Sequence, residues 1–239
     1  MIEMVSRALR AGALVVVLLG LARAVSGAGI ADLMGPLLTA REREAFGSVD
    51  GRAYAEAQRG SGEPTPYPAV SILLMPRSKD FDSELDGIKA SYRDSVDALL
   101  EAEPKLRAAQ VAFERTLIEA GGGQLLLGES SSATGEFRFP RVPEGAWTLL
   151  AWREIPHSKA PAALKSNEAR RYKDRPQVFG YTTVIFWRLP VDVKAGEAMI
   201  VRLHDRNQWL TAAREDRRVP DQKRPATPPG QLPAPASPR

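Results

Sequence analysis

The stretch Ala133–Glu154, ATGEFRFPRVPEGAWTLLAWRE, constrains this chain more than any other. Phe137 and Phe139 alternate on one short segment, Val142-Pro143-Glu144-Gly145 turns the chain, and Trp147 to Trp152 forms the return segment. Aromatic residues at period two, bounded by glycine and proline, are the pattern of paired strands, so the stretch reads as a β-hairpin or tight meander. The return strand is apolar on both faces, with Trp147, Leu149 and Ala151 on one side and Leu150 and Trp152 on the other. A strand of that kind must be covered twice, which places it in the middle of a sheet.

The remaining β signals flank this one. Ser48–Glu56 and Pro68–Pro76 read as two strands, with Val70, Ile72 and Leu74 alternating and a Gly60–Pro66 loop between them. After Gln124–Gly128, Tyr181–Val193 and Met199–Leu203 form a last pair around Ala195-Gly196-Glu197, their alternating apolar set being Val191, Val193, Val201 and Leu203. Ile155–Pro176 is polar and reads as a loop with a helical turn near Ala162–Arg170.

The period changes between Phe81 and Ile118. Phe81, Leu85, Ile88, Tyr92, Val96, Leu99, Leu106, Phe113 and Leu117 recur at three- and four-residue steps, a helical stripe. Proline is tolerated in the first turn of a helix and disrupts the interior, so Pro104 divides the stripe. This predicts helices over about Asp80–Glu101 and Pro104–Ala120, as a hairpin or one kinked rod, closed by Gly121-Gly122-Gly123.

Both ends carry a different signature. Arg7 and Arg10 precede the apolar run Ala11–Ala22, and small residues follow, the arrangement of a cleaved secretory signal over residues 1–28. The run is shorter than the ~20 residues of a spanning helix, so no stable membrane span is expected after its removal; an uncleaved anchor is the alternative reading. Residues 29–46 hold Ile30, Leu33, Met34, Leu37 and Leu38 at helical spacing broken by Gly35-Pro36, a short helical linker. Residues 211–239 read as a disordered tail, since positions 220 to 239 hold seven prolines. The folding part is thus residues 47–210, interrupted by helices at about 80–120.

Charge and residue counts narrow the function. Of the formal +4, +2 lies in residues 1–28 and +3 in residues 214–239, leaving −1 on the body. A nucleic-acid-binding domain needs its positive charge on the folded surface, so nucleic acid is not an expected partner. With no cysteine a thiolate metal site is excluded, and His157 and His204 lie far apart without His-x-x-x-His spacing. A carboxylate site is left open but no calcium-type loop is present, so no metal or cofactor is expected. The phosphate loop, the dinucleotide fingerprint and the Gly-x-Ser-x-Gly elbow are all absent. The acidic residues of the insertion alternate with Lys and Arg, the signature of a solvated helix face.

The candidate site residues are Trp152, Trp187, His204, Asp205, Asn207 and Trp209. A histidine beside an aspartate can support base catalysis, and Asp, Asn and Trp together can hold a sugar. The competing structural reading has Asp205 and Asn207 capping a turn while Trp209 packs on the sandwich edge. Adjacent residues on a strand end face opposite ways, which argues against a His204–Asp205 catalytic pair. His157 sits in a proline-flanked loop without an evident partner.

Taken in order, Val49-Asp50-Gly51, then Val70, Ile72 and Leu74, then Thr134-x-Glu136-Phe137-x-Phe139 and Pro143-x-Gly145-x-Trp147-x-Leu149-x-Ala151, then Val191-x-Val193-x-Ala195-Gly196-Glu197 and Val201-x-Leu203, resemble the carboxypeptidase regulatory-like family. The resemblance covers about residues 47–208 less the helices. It implies a seven-stranded immunoglobulin- or transthyretin-like sandwich; the helical hairpin or kinked helix at about 80–120 departs from the family, so the expected class is mainly β with an α insertion. It also implies a non-catalytic domain. Hydroxyisourate hydrolases share the transthyretin-like shape, but their Tyr-Arg-Gly-Ser ending is absent. The expected function is an exported, periplasmic or secreted module that contacts an envelope or secreted protein through its insertion. The alternatives are a sandwich binding carbohydrate or another ligand and, less favoured, a hydrolase using His204 and Asp205.

Overall fold

The computed structural model describes residues 27–57, 62–158 and 177–218. Its core is a pair of facing sheets, and the class is mainly β with an α insertion, as the alternation and the helical stripe require. Nine strands stand among the described residues, against the seven expected. The smaller sheet sets β1 (Phe46–Ala55) between β5 (Glu136–Pro143) and β8 (Ala198–His204), with the two-residue β2 (Thr65–Pro66) continuing one edge. The larger runs β4 (Leu127–Ser130), β3 (Ser71–Pro76), β6 (Gly145–Ser158), β7 (Gln177–Val193) and β9 (Leu210–Arg218).

β6 is central, between β3 and β7. Its inner side chains Trp147, Leu149 and Ala151 have no exposed surface, and Leu150 on the outer face is buried as well. The hairpin expectation is corrected. β5 pairs with β1, and β6 pairs with β3 and β7, so the turn at Pro143–Gly145 carries the chain from one sheet to the other. Gly145 makes the crossing at a φ of 144°, conformational space that glycine enters without steric cost. The expected last pair separates in the same way, β7 entering the larger sheet and β8 lying parallel to β1 in the smaller. Phe137 and Phe139 therefore meet Trp147 and Leu149 across the core instead of along a ladder.

The insertion packs on the sandwich and does not project from it. Helices α2 (Lys79–Ser91) and α3 (Val96–Glu119) cover the outer face of the larger sheet, burying Phe81, Leu85, Leu106, Phe113 and Leu117. The rings of Phe81 and Phe113 stack at 4.5 Å between the two helices. The break lies at Tyr92–Ser95 and not at Pro104, which sits inside α3. Ser95 decides this: its Oγ accepts the Ala98 amide at 3.0 Å and starts a new helix before the proline is reached. At the other end Gly121, at φ 83°, lets its own amide and that of Gly122 close on Ile118 and Leu117 carbonyls, as the triple glycine predicts.

Glu103 of α3 is almost fully buried and accepts from Arg214 of β9 at 3.0 Å, with Arg107 at 3.4 Å. Both arginines also reach Glu154 of β6, so the helix is clamped to two strands by four charges. Helix α1 (Gly27–Glu42) runs through Gly35-Pro36 as one helix and closes an end of the sandwich, Leu37 lying against Gly145 and Met34 against Gly122.

The tail boundary also moves. Residues 211–218, expected to be disordered, belong to β9, where Leu210 and Ala212 are buried and Thr211 between them is exposed. Residues 219–239, residues 1–26 of the expected signal 1–28, and the expected Ala162–Arg170 turn lie outside the described residues. No helix among the described residues is long and apolar enough to cross a membrane.

Candidate functional site

With one sheet roofed by helices, the outer face of the smaller sheet is the side left uncovered among the described residues. Alternation puts Asp50, Arg52 and Tyr54 of β1 on that face, with Glu136 and Arg138 of β5 and Ile200, Arg202 and His204 of β8. Register turns them into rows: Arg138, Asp50 and Ile200; Glu136, Arg52 and Arg202; Tyr54 and His204. Arg138 Nε meets Asp50 Oδ1 at 3.0 Å. Arg52 and Arg202 stand side by side, an arrangement of like charges that costs stability unless something answers it. The face is a shallow groove of about 850 Å³, bordered by Pro64, Glu129, Ser130 and Ser132. Along its far side β8 is an edge strand, exposing Ile200 by 64% and Met199 by 36%.

The His204 corner closes one end. The imidazole stacks on Tyr54 at 5.7 Å, and its Nδ1 lies 3.3 Å from Glu56 Oε1. Glu56 also pairs with Arg206, and its amide donates to Asp205 Oδ1 at 2.9 Å. That amide bond is the main cause holding the Asp205 carboxyl below the usual carboxylate range; burial opposes it, and His204 and Arg206 assist. Nearby, burial and then the Asp205 charge push the Tyr67 phenol up, against the lowering effect of Arg153, whose guanidinium lies 4.2 Å from the ring centroid.

The sequence candidates thus separate. Asp205 is committed to the Glu56 amide, so His204 has Glu56 as its carboxylate and the His204–Asp205 pair is not formed. Asn207 Oδ1 accepts the His204 amide at 2.8 Å and its Nδ2 donates to the Arg202 carbonyl at 2.7 Å, which fixes the turn after β8. Trp187, expected among the exposed aromatics, has no accessible surface and lies between the sheets. Trp209 is half-buried, with Arg188 4.7 Å and Lys89 5.3 Å from its ring centroid. Trp152 lies on the other side of the sandwich beside α3, with Arg107 4.1 Å from its ring centroid. His157 is no loop residue: it is on β6, stacked on Tyr181 at 4.5 Å, with Nε2 3.2 Å from Thr183 Oγ1.

Glu56, Tyr67 and the Arg52–Arg202 pair escaped the sequence reading. The only available signal was the outward half of the Ser48–Glu56 alternation, and the neighbours that give it meaning are over a hundred residues away. Among the described residues, no group of His, Asp and Glu is arranged to hold a metal.

No family model and no curated protein sequence matches the chain. Among solved structures, a candidate carbohydrate-binding protein from Pseudomonas aeruginosa is 12% identical with a TM-score of 0.33, over 67% of this chain and 88% of its own. The pilus backbone protein RrgB of Streptococcus pneumoniae is 12% identical with a TM-score of 0.24, over 66% of this chain and 40% of its own. A minor pilin of Streptococcus agalactiae is 9% identical with a TM-score of 0.24, over 76% of this chain and 100% of its own. At these values the likeness carries no argument about function.

Proposed function

We propose that the protein is an exported, non-catalytic β-sandwich module of the cell envelope, related to the carboxypeptidase regulatory-like family, that binds another protein. The contact is made by the open face of the smaller sheet and not by the insertion, where Phe81, Leu85, Leu106, Phe113 and Leu117 are already buried. The observation that carries this reading is the combination of charged rows with a free β8 edge. Arg52 and Arg202 are presented side by side, and Ile200 stands exposed on the strand that has no second neighbour among the described residues. An edge of this kind takes up an extended segment through main-chain hydrogen bonds, while the charges outside it select the partner.

Crosslinking in intact envelopes tests this. A dominant partner captured by the wild type and lost in both Ile200→Asp and Arg52→Glu supports the reading. Capture that survives both substitutions moves the interface elsewhere, and no capture at all removes the adaptor role.

A further inference from the structure

A second groove, of about 540 Å³, lies on the opposite side of the sandwich, between α3 and the β4–β3–β6 border of the larger sheet. We propose that it binds a neutral saccharide, a site made by the insertion and separate from the charged face. Four features of different origin converge there. Trp152 of β6 offers an indole held in place by Arg107, which is itself tied to Glu103 and Glu154. Opposite it, α3 presents Gln110 and Glu114, with Gln110 Nε2 donating to Glu114 Oε1 at 2.8 Å. Gln110 is only 7% exposed, and its Oε1 is left without a partner among the described residues. The floor is open because position 128 is glycine: a Cβ there would meet nothing within 4 Å.

The chemistry of this set selects its ligand. An aromatic plane receives the C–H face of a pyranose, and a carboxylate and the hydroxyls of Ser71 and Ser130 answer ring hydroxyls. Gln110 Oε1 has no accessible surface, so the ligand-facing groups of the groove are Trp152, Glu114 and the hydroxyls of Ser71 and Ser130. Among the described residues lining the groove the charged ones are Glu114 and Glu129, so an acidic sugar is repelled while a neutral one is not. Glu129 and Ser130 also border the charged groove, so a longer glycan has a way out around the β4 edge.

The test uses the full chain with cellotetraose, chitotetraose and tetragalacturonate, read by isothermal titration calorimetry. The expected result is binding of a neutral tetrasaccharide and not of tetragalacturonate. Gly128→Leu, whose Cβ enters open space in the groove, and Glu114→Ala each weaken it by at least about tenfold, the equivalent of one good contact. Circular dichroism of both variants must match the wild type. Arg52→Glu should bind the sugar normally, which keeps this outcome independent of the protein-binding face. No neutral binding at about 10 mM, equal binding of the acidic sugar, or binding indifferent to Gly128→Leu would overturn the proposal.

Discussion

The indole of Trp187 donates its Nε1 proton to the carbonyl of His204 at 2.9 Å, a hydrogen bond that runs from the larger sheet to the last residue of β8 in the smaller. Trp187 is therefore not a ligand platform but the bolt beneath one, fixing the strand end from which His204 and Arg202 are displayed. A buried indole is stable when its N–H finds a partner, and here the partner is the other half of the sandwich.

Trp187→Phe should remove that bond, leave the carbonyl unsatisfied and open a small void. The expected loss is about 2–4 kcal/mol, combining a lost partner with a cavity. Urea denaturation measures it, and the β8 amides should show faster hydrogen exchange than those of β6.

Gly51 of β1 and Phe137 of β5 form a second tight fit. Their Cα atoms are paired, and the phenyl ring lies where a side chain at position 51 would begin. Gly51→Ala should force the ring aside and cost about 1–3 kcal/mol, the usual range for overpacking a core. The double variant Gly51→Ala with Phe137→Leu should recover part of that loss; a neutral single substitution would show that the ring is free to move.

The insertion is part of the fold. Removing residues 81–122 should expose Leu150, Phe186 and Leu210 and give an insoluble or dye-binding product, not an independent sandwich. Phe113→Ala makes the same point within the full chain, with a loss of about 3–5 kcal/mol. A soluble, cooperatively unfolding deletion variant would contradict this.

Acid sensitivity should reside partly at Asp205. Its carboxyl is held below the ordinary range when folded, so the contribution is present above the unfolded value of about 3.9 and is lost as pH falls through the lower folded value. Asp205→Asn keeps an oxygen for the Glu56 amide but cannot titrate. The wild type should therefore be the more stable at neutral pH, and the two denaturation curves should converge as the pH falls below the ordinary carboxylate range. Parallel curves across the whole range would place the acid response elsewhere.

Much of this was legible in the residues. Phe137, Phe139, Trp147, Leu149 and Ala151 announced their buried faces through period two, the double-sided burial of β6 predicted its central place, and the stripe from Phe81 to Leu117 predicted helices. The candidate site was less so: Asn207 declared a local capping role that its neighbours make, but nothing near Arg52 in sequence indicated Arg202.

What the sequence determined by itself is which side of each element is buried and where the helical insertion begins and ends, because these depend on spacing and on near neighbours such as Gly121; the break inside it, read at Pro104, lies before Ser95. The tertiary structure alone decided which strands share hydrogen bonds. A period-two pattern marks a face and leaves the edge unmarked, so β5 and β6 could read as a hairpin while belonging to opposite sheets. The binding faces follow from that second decision. Arg52 meets Arg202, and Trp152 meets Gln110 across a groove, through pairing and packing between segments that spacing within one segment cannot specify.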